Sequence, residues 1–229
     1  MGILSNRGRP SQAIQYTDVE YNGQKYTVGT LMFKDEHLKF VIDFEDKDKI
    51  VDYSWHKCSN YYIASSHYVG SNKKELFLHN IIMDKLTFDG KGQKETVDHI
   101  NRNPLDNRRA NLRILTQENQ NLNQNKKPRR FEYPAEYNLN PSDLPKNVSY
   151  VAARGNHGDG FCVDFKSKGK KIYNPYIRSK VLSIEEKLEK IKVLLEKGYE
   201  LYPEYNPNYE KELRDKLEEE YNTICQLPA

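Results

Sequence analysis

Residues 96–120 read TVDHINRNPLDNRRANLRILTQENQ: an Asp-His pair, then a crowd of asparagines and four arginines. Asp98 and His99 are adjacent, so on a strand their side chains point to opposite faces. A carboxylate grouped with amide oxygens is a hard-oxygen donor set of the kind that suits Mg²⁺ or Mn²⁺, the former keeping several of its waters. An imidazole on the other side of that strand is largely neutral at physiological pH and makes a natural general base. The stretch therefore offers an oxygen-ligated ion and a proton acceptor, held apart by one strand. It is also basic. From Lys91 to Arg130 there are ten Lys and Arg against four Asp and Glu, while Glu185 to Glu220 carries seven against twelve. A basic middle and an acidic end point either to a polyanion meeting the middle or to an ordinary solvated face.

The elements that must position these groups can be read on either side. "ETVDHI" has the texture of a strand, Leu112–Leu115 that of a second strand, and Asn103-Pro104 marks a turn between them. "TQENQNLNQN" begins a helix with Thr116 as its N-cap. Upstream, from Tyr21 to Phe77, "KYTVGTLMF", "KFVIDF", "YYIASSHYV" and "ELFLH" are short runs rich in Val, Ile, Tyr and Phe, with Trp55 and its tyrosine neighbours as core aromatics of a small antiparallel sheet. "LHNIIM" reads as a strand end passing into a short helix. Downstream, the Pro- and Asn-rich segment with Lys126, Lys127, Arg129 and Arg130 reads as a linker. Three candidate strands follow, then "LSIEEKLEKIKVLLEKG". Ser183 and Glu186 form a capping box there, Ile184, Leu188, Ile191 and Leu195 form one apolar stripe, and Gly198 sits where a helix would stop. A further charged helix lies in the last thirty residues.

"VDHINRNPLDNRRANLRILTQENQ", with the preceding "FLHNIIM", resembles the HNH, or ββα-metal, nuclease motif in its phage and viral homing-type form, over about Leu76 to Asn125. The resemblance implies a phosphodiesterase that leaves 5′-phosphate and 3′-hydroxyl ends. It makes Asp98 a ligand of one Mg²⁺ or Mn²⁺, His99 the base that takes a proton from the attacking water, and Asn111 the residue that braces the loop and helps orient the histidine. The second ligand of the family is an Asn or His nine positions beyond the central Asn. Here that position is Gln120, with Asn119 before it, and either amide oxygen is a candidate. His79 lies where such proteins carry a histidine, and reads equally as a structural residue or a phosphate contact. Arg102, Arg108, Arg109 and Arg113 would face a phosphate backbone.

The segment from Leu144 to Gly198 resembles the apetala-type DNA-binding module, a three-stranded sheet braced by one helix. By that resemblance Arg154, Lys166, Lys168, Lys170, Lys171 and Arg178 would touch DNA, and the linker cations Lys126, Lys127, Arg129 and Arg130 are further candidate DNA contacts. "RGRP" near the start, with Arg7 and Arg9, resembles the core of an AT-hook. Together these give an α+β chain with an arm at 1–18, a nuclease domain at 19–127, a linker at 128–145, a DNA reader at 146–200 and a helical extension at 201–229. The expected partner is double-stranded DNA; the rival reading is a DNA-binding regulatory protein whose site no longer cuts. No long apolar run suggests a membrane span, and no leader is evident. Three scattered cysteines fit a reducing, intracellular setting, in keeping with a phage, virus or mobile element as the source.

Overall fold

A computed structural model describes residues 14–33, 36–69, 71–85, 95–124, 126, 133–137 and 139–228. Arg7 and Arg9 of the expected arm, and Lys127, Arg129 and Arg130 of the expected linker, lie outside the described residues. The fold is mixed α/β, made of small sheets and few helices, in two compact units: Met1–Gln120 with Glu210–Ala229, and Asn121–Tyr209.

The first unit opens with an antiparallel meander of β1 (Gln15–Tyr21), β2 (Gln24–Phe33) and β3 (Glu36–Asp43). Its period-2 pattern serves two cores. Leu31, Phe40 and Ile42 face one side, while Tyr26, Val28 and Val41 face the other. Gly29 pairs with Phe40 across the strands, and a Cβ at Gly29 would lie 2.2 Å from that ring, so the glycine makes room for it. A second meander follows, β4 (Trp55–Lys57), β5 (Ile63–Val69) and β6 (Asn72–Phe77), and runs directly into the short helix α1 (Leu78–Ile82). Trp55 is buried, donating its indole N–H to the Ile50 carbonyl at 2.9 Å, as a core aromatic should. Then come the strand pair β7 (Glu95–His99) and β8 (Leu112–Thr116), which places Val97 and Leu112 in the same core, and the helix α2 (Gln117–Asn123).

The second unit holds five short strands where the sequence suggests three. β9 (Val148–Val151), β10 (Gly160–Val163) and β13 (Tyr176–Arg178) form an antiparallel sheet with β10 in the middle; β11 (Phe165–Ser167) and β12 (Lys170–Tyr173) form a separate hairpin. The hairpin turns at Lys168 and Gly169, both at positive φ, which suits the twist of a two-residue turn. Helix α3 (Ile184–Leu201) begins with the expected capping box and buries the expected stripe, Ile184, Leu188, Ile191 and Leu195. It does not stop at Gly198. A Cβ there would meet the Tyr173 ring at 2.7 Å and Phe165 at 2.9 Å, so this glycine admits aromatic rings instead of ending the helix.

The last helix, α4 (Lys211–Ile224), groups with the first unit. Tyr221 and Ile224 complete the second core against Val19, Tyr26, Val28 and Val41. Among the described residues no helix is long and apolar enough to cross a membrane.

Candidate active site

Antiparallel pairing sets the site: Asp98 lies opposite Arg113 and His99 opposite Leu112. Alternation along β7 then sends Val97 and His99 inward, Thr96 and Asp98 to the other face. Both site residues are nearly covered, Asp98 at 7% exposure and His99 at 5%.

On the inner face the His99 ring stands edge-on to His79 at 5.1 Å, beside Tyr62 at 5.9 Å, and His79 stacks on Phe77 at 5.6 Å. His99 Nε2 lies 3.3 Å from Asn107 Oδ1. The Asn107 amide is oriented by its own Nδ2, which donates to the Pro104 carbonyl at 3.1 Å, so its oxygen faces the imidazole. That arrangement makes Nε2 the donor and leaves the ring lone pair on Nδ1. Burial lowers the His99 pKa to about 4, partly opposed by the Asn107 bond, and burial followed by the neighbouring His99 lowers His79 to about 3. Both rings are neutral at physiological pH.

Asn111 is fully buried and braces the loop between the two strands. Its Nδ2 donates to Asn101 Oδ1 and the Asp106 carbonyl, each at 2.8 Å, and its Oδ1 accepts from the Asn101 N–H at 2.9 Å. The side chain set against the His99 ring is Asn107, which sequence reasoning passed over; its signal was its place in Asp106-Asn107-Arg108, inside the stretch that resembles the nuclease motif.

On the other face Thr96 Oγ1 donates to Gln120 Oε1 at 3.0 Å, so the first turns of α2 lie along the side of β7 that carries Asp98. Thr116 caps the helix as expected, accepting from the Asn119 N–H at 3.3 Å, and the Asn119 side chain is exposed. Asp98 Oδ2 accepts from Arg113 Nε at 3.2 Å, and Arg113 Nη1 is in turn gripped by Glu210 at 2.8 and 2.9 Å. Among the described residues no three His, Cys, Asp or Glu side chains converge as a metal cage. One carboxylate, with the Gln120 amide held along the same side of β7, fits an ion that keeps several waters, as Mg²⁺ does, and not one caged by protein alone.

The four arginines expected to face phosphate differ sharply. Arg108 is 1% exposed and structural. Its Nε and Nη2 fork onto Asp106 at 2.7 and 2.8 Å, Nη1 reaches Glu220 at 2.9 Å, and Nη2 also bonds the Leu217 carbonyl at 2.7 Å. Burial works against that charge, but the Asp106 and Glu220 bonds outweigh it and hold the guanidinium above its ordinary pKa. A phosphate has no access to it. Arg109 forks onto Asp46 at 2.7 Å twice and reaches the Ile82 carbonyl, tying the loop to α1, though its side chain keeps 46% exposure. Arg113 is held between Asp98 and Glu210. Arg102, at positive φ in the turn after His99, sits near Asp98 and Arg214.

In the second unit Lys166, Lys168, Lys170 and Lys171 all lie on the β11–β12 hairpin instead of the three-stranded sheet. Lys166, Lys170 and Lys171 are exposed there. Lys166 pairs with Asp164 at 2.8 Å, and Lys171 bonds Asn174 and Tyr176. Arg178 donates to the Gly158 and Ala152 carbonyls, a brace between loop and strand. Arg154 is exposed in a turn closed on His157, and Lys126 bonds the Ser142 carbonyl.

Residues 90–122 match the family model described as HNH endonuclease. The match covers β7, the loop, β8 and nearly all of α2, and it supports a nuclease of the HNH type. The chain is also 31% identical over 227 residues to an uncharacterized protein of Acanthamoeba polyphaga mimivirus, covering 93% of this chain and 64% of that one. A giant virus as the source of that relative is consistent with a viral origin. No solved structure matches the chain.

Proposed function

We propose that this chain is a metal-dependent DNA endonuclease of the HNH homing type, which hydrolyses phosphodiester bonds with His99 as general base. The observation that carries the reading is the pair Asp98 and His99, on opposite faces of one strand inside the segment that matches the HNH endonuclease family. His99 is neutral, and its Nδ1 is set as the acceptor by Asn107. Asp98, with the amide oxygen of Gln120 or Asn119, would hold one Mg²⁺ or Mn²⁺. Such an ion supplies charge neutralisation at the phosphoryl and departing oxygens and acidifies a bound water. That last effect matters here, because a base with a pKa near 4 is a weak one. Asn111 keeps the loop in register, and the hairpin lysines Lys166, Lys168, Lys170 and Lys171 would add salt-sensitive affinity for duplex DNA.

One observation favours the rival, a DNA-binding protein that does not cut: the Asp98 carboxylate is engaged by Arg113, and a metal would have to share or displace that bond. Cleavage of supercoiled DNA in Mg²⁺ or Mn²⁺, beside His99→Ala, Asp98→Asn and an EDTA blank, separates the two. The nuclease reading expects cutting by the wild type and loss in all three controls. Tight binding without any cutting, across varied duplexes, would move the rival ahead.

A further inference from the structure

The loop that joins β4 to β5 breaks a local rule beside the candidate site. The Cys58 N–H donates to the Tyr62 carbonyl at 2.9 Å and the Tyr62 N–H to the Ser59 carbonyl at 3.4 Å, which closes a tight turn on Asn60 and Tyr61. Both central residues lie at positive φ, 56° for Asn60 and 64° for Tyr61. Hairpin turns of that hand favour Asn followed by Gly, because the second position suits a residue without a Cβ. Here the second residue is a tyrosine, and a bulky side chain at positive φ is an outlier. No core accounts for it, since Tyr61 is 50% exposed. The Lys57 ammonium lies over its ring, 4.0 Å from the centroid, and over that of Phe33 at 4.1 Å. One exposed cation–π contact does no more than offset the left-handed backbone, so folding alone gains little from tyrosine at this position. The next residue, Tyr62, is set against the buried histidine pair, 5.4 Å from the His79 ring and 5.9 Å from that of His99. Tyr61 therefore stands at the rim of the candidate site, one residue from a ring that touches the proposed base.

We propose that Tyr61, backed by Lys57, is a stacking platform for one unstacked nucleobase of the DNA strand that enters the site. A strained, half-exposed aromatic is a functional signal when the fold does not need it. Every base has a π-face, so stacking on a tyrosine takes a base without reading its identity, and the nearby ammonium draws in the phosphate that accompanies it. A duplex covers its base faces, so the platform fits a strand that is single or locally opened at the cut. The proposal rests on the nuclease reading for the identity of its ligand. It adds to that reading a positioning residue outside the matched segment, on a hairpin tip that the motif alone does not include.

The test is binding of the full chain, by fluorescence anisotropy in EDTA, to single-stranded oligothymidine and to a strand of equal length whose sugars carry no bases; cleavage is measured separately. On oligothymidine Tyr61→Ala and Tyr61→Gly weaken binding by about tenfold, while Tyr61→Phe stays within about twofold of the wild type. On the abasic strand all three bind as the wild type does. Tyr61→Gly also keeps the urea midpoint of the wild type, followed by Trp55 fluorescence, because Asn-Gly suits the turn. Lys57→Gln lowers the slope of log affinity against log salt by about 0.7 on both strands, and an unchanged slope overturns the part given to Lys57. Wild-type affinity for oligothymidine in Tyr61→Gly, or an equal loss on the two strands, overturns the platform even if the wild type cleaves DNA. A loss confined to the strand with bases, with no cleavage by the wild type, overturns the nuclease reading and leaves the platform standing.

Discussion

Replacing Arg108 with alanine should destabilise the first unit by about 3–5 kcal/mol, the usual cost of removing one partner of a buried ion pair. The size follows from what stays behind. Asp106 is fully buried, and its two oxygens lose the fork at 2.7 and 2.8 Å; the Leu217 carbonyl loses a donor, and Glu220 loses its ion-pair partner. Most of the loss comes from the uncompensated buried carboxylate, and the cavity left by the side chain adds to it. The assay is urea unfolding monitored by the single tryptophan, Trp55, which lies in the core of the first unit and so reports that unit. In an Arg108→Met background, Asp106→Asn should recover about 1–2 kcal/mol, because the orphaned charge goes with it. A loss below about 1 kcal/mol for Arg108→Ala, accompanied by a shallower salt dependence of DNA binding, would refute the reasoning. It would return Arg108 to the phosphate-contacting role that the sequence alone suggests.

Three further outcomes are expected. His79 is buried with its pKa lowered to about 3, below the unfolded value, so its contribution is intact above about pH 6.5 and is lost as pH falls and the unfolded chain alone takes up a proton. Between pH 7.5 and 5.5 the stability of the wild type should drop relative to His79→Phe by about 1.4 kcal/mol; parallel urea curves at the two pH values check it, and an unchanged difference would mean that the ring is hydrated. Gly198→Ala should cost the second unit about 1–2 kcal/mol, overpacking against Tyr173 and Phe165 outweighing the better helix propensity of alanine. A raised thermal midpoint would show that those rings can yield. Mn²⁺ should raise the unfolding midpoint of the wild type and not that of Asp98→Asn, in proportion to RT ln(1 + [Mn²⁺]/Kd), and equal shifts in both would place the ion elsewhere.

How far the sequence could be read depended on how local each cause was. The capping box at Ser183 and Glu186, the cap at Thr116, and the stripe of Ile184, Leu188, Ile191 and Leu195 are all set by neighbours within a few residues, and all stand in the structure. The division of Asp98 and His99 between two faces needs only that β7 be a strand. Gly198 misled because the rings that require it, Phe165 and Tyr173, come from strands that no helix-stop rule includes. Five short strands passed for three because, among the described residues, β11 and β12 pair with each other in a separate hairpin closed by Lys168-Gly169, and nothing in "KSKGKKIY" says which sheet it joins.

The arginines show the same limit most clearly. Charge counts along the chain give a basic middle and an acidic end, and leave open an external polyanion or an ordinary solvated face for the middle. Part of that asymmetry is answered inside the first unit. Glu210 binds Arg113, Glu220 binds Arg108, and Glu218 binds the amides flanking Arg102, across separations of 97 to 117 residues. A formal surplus of six positive charges between Lys91 and Arg130 therefore overstates what a nucleic acid would meet, since Arg108 is buried and Arg109 and Arg113 already hold carboxylates. A salt dependence of DNA binding as steep as that surplus implies would require those internal pairs to open. A shallower one is what a loop already braced by its own acidic helix should give.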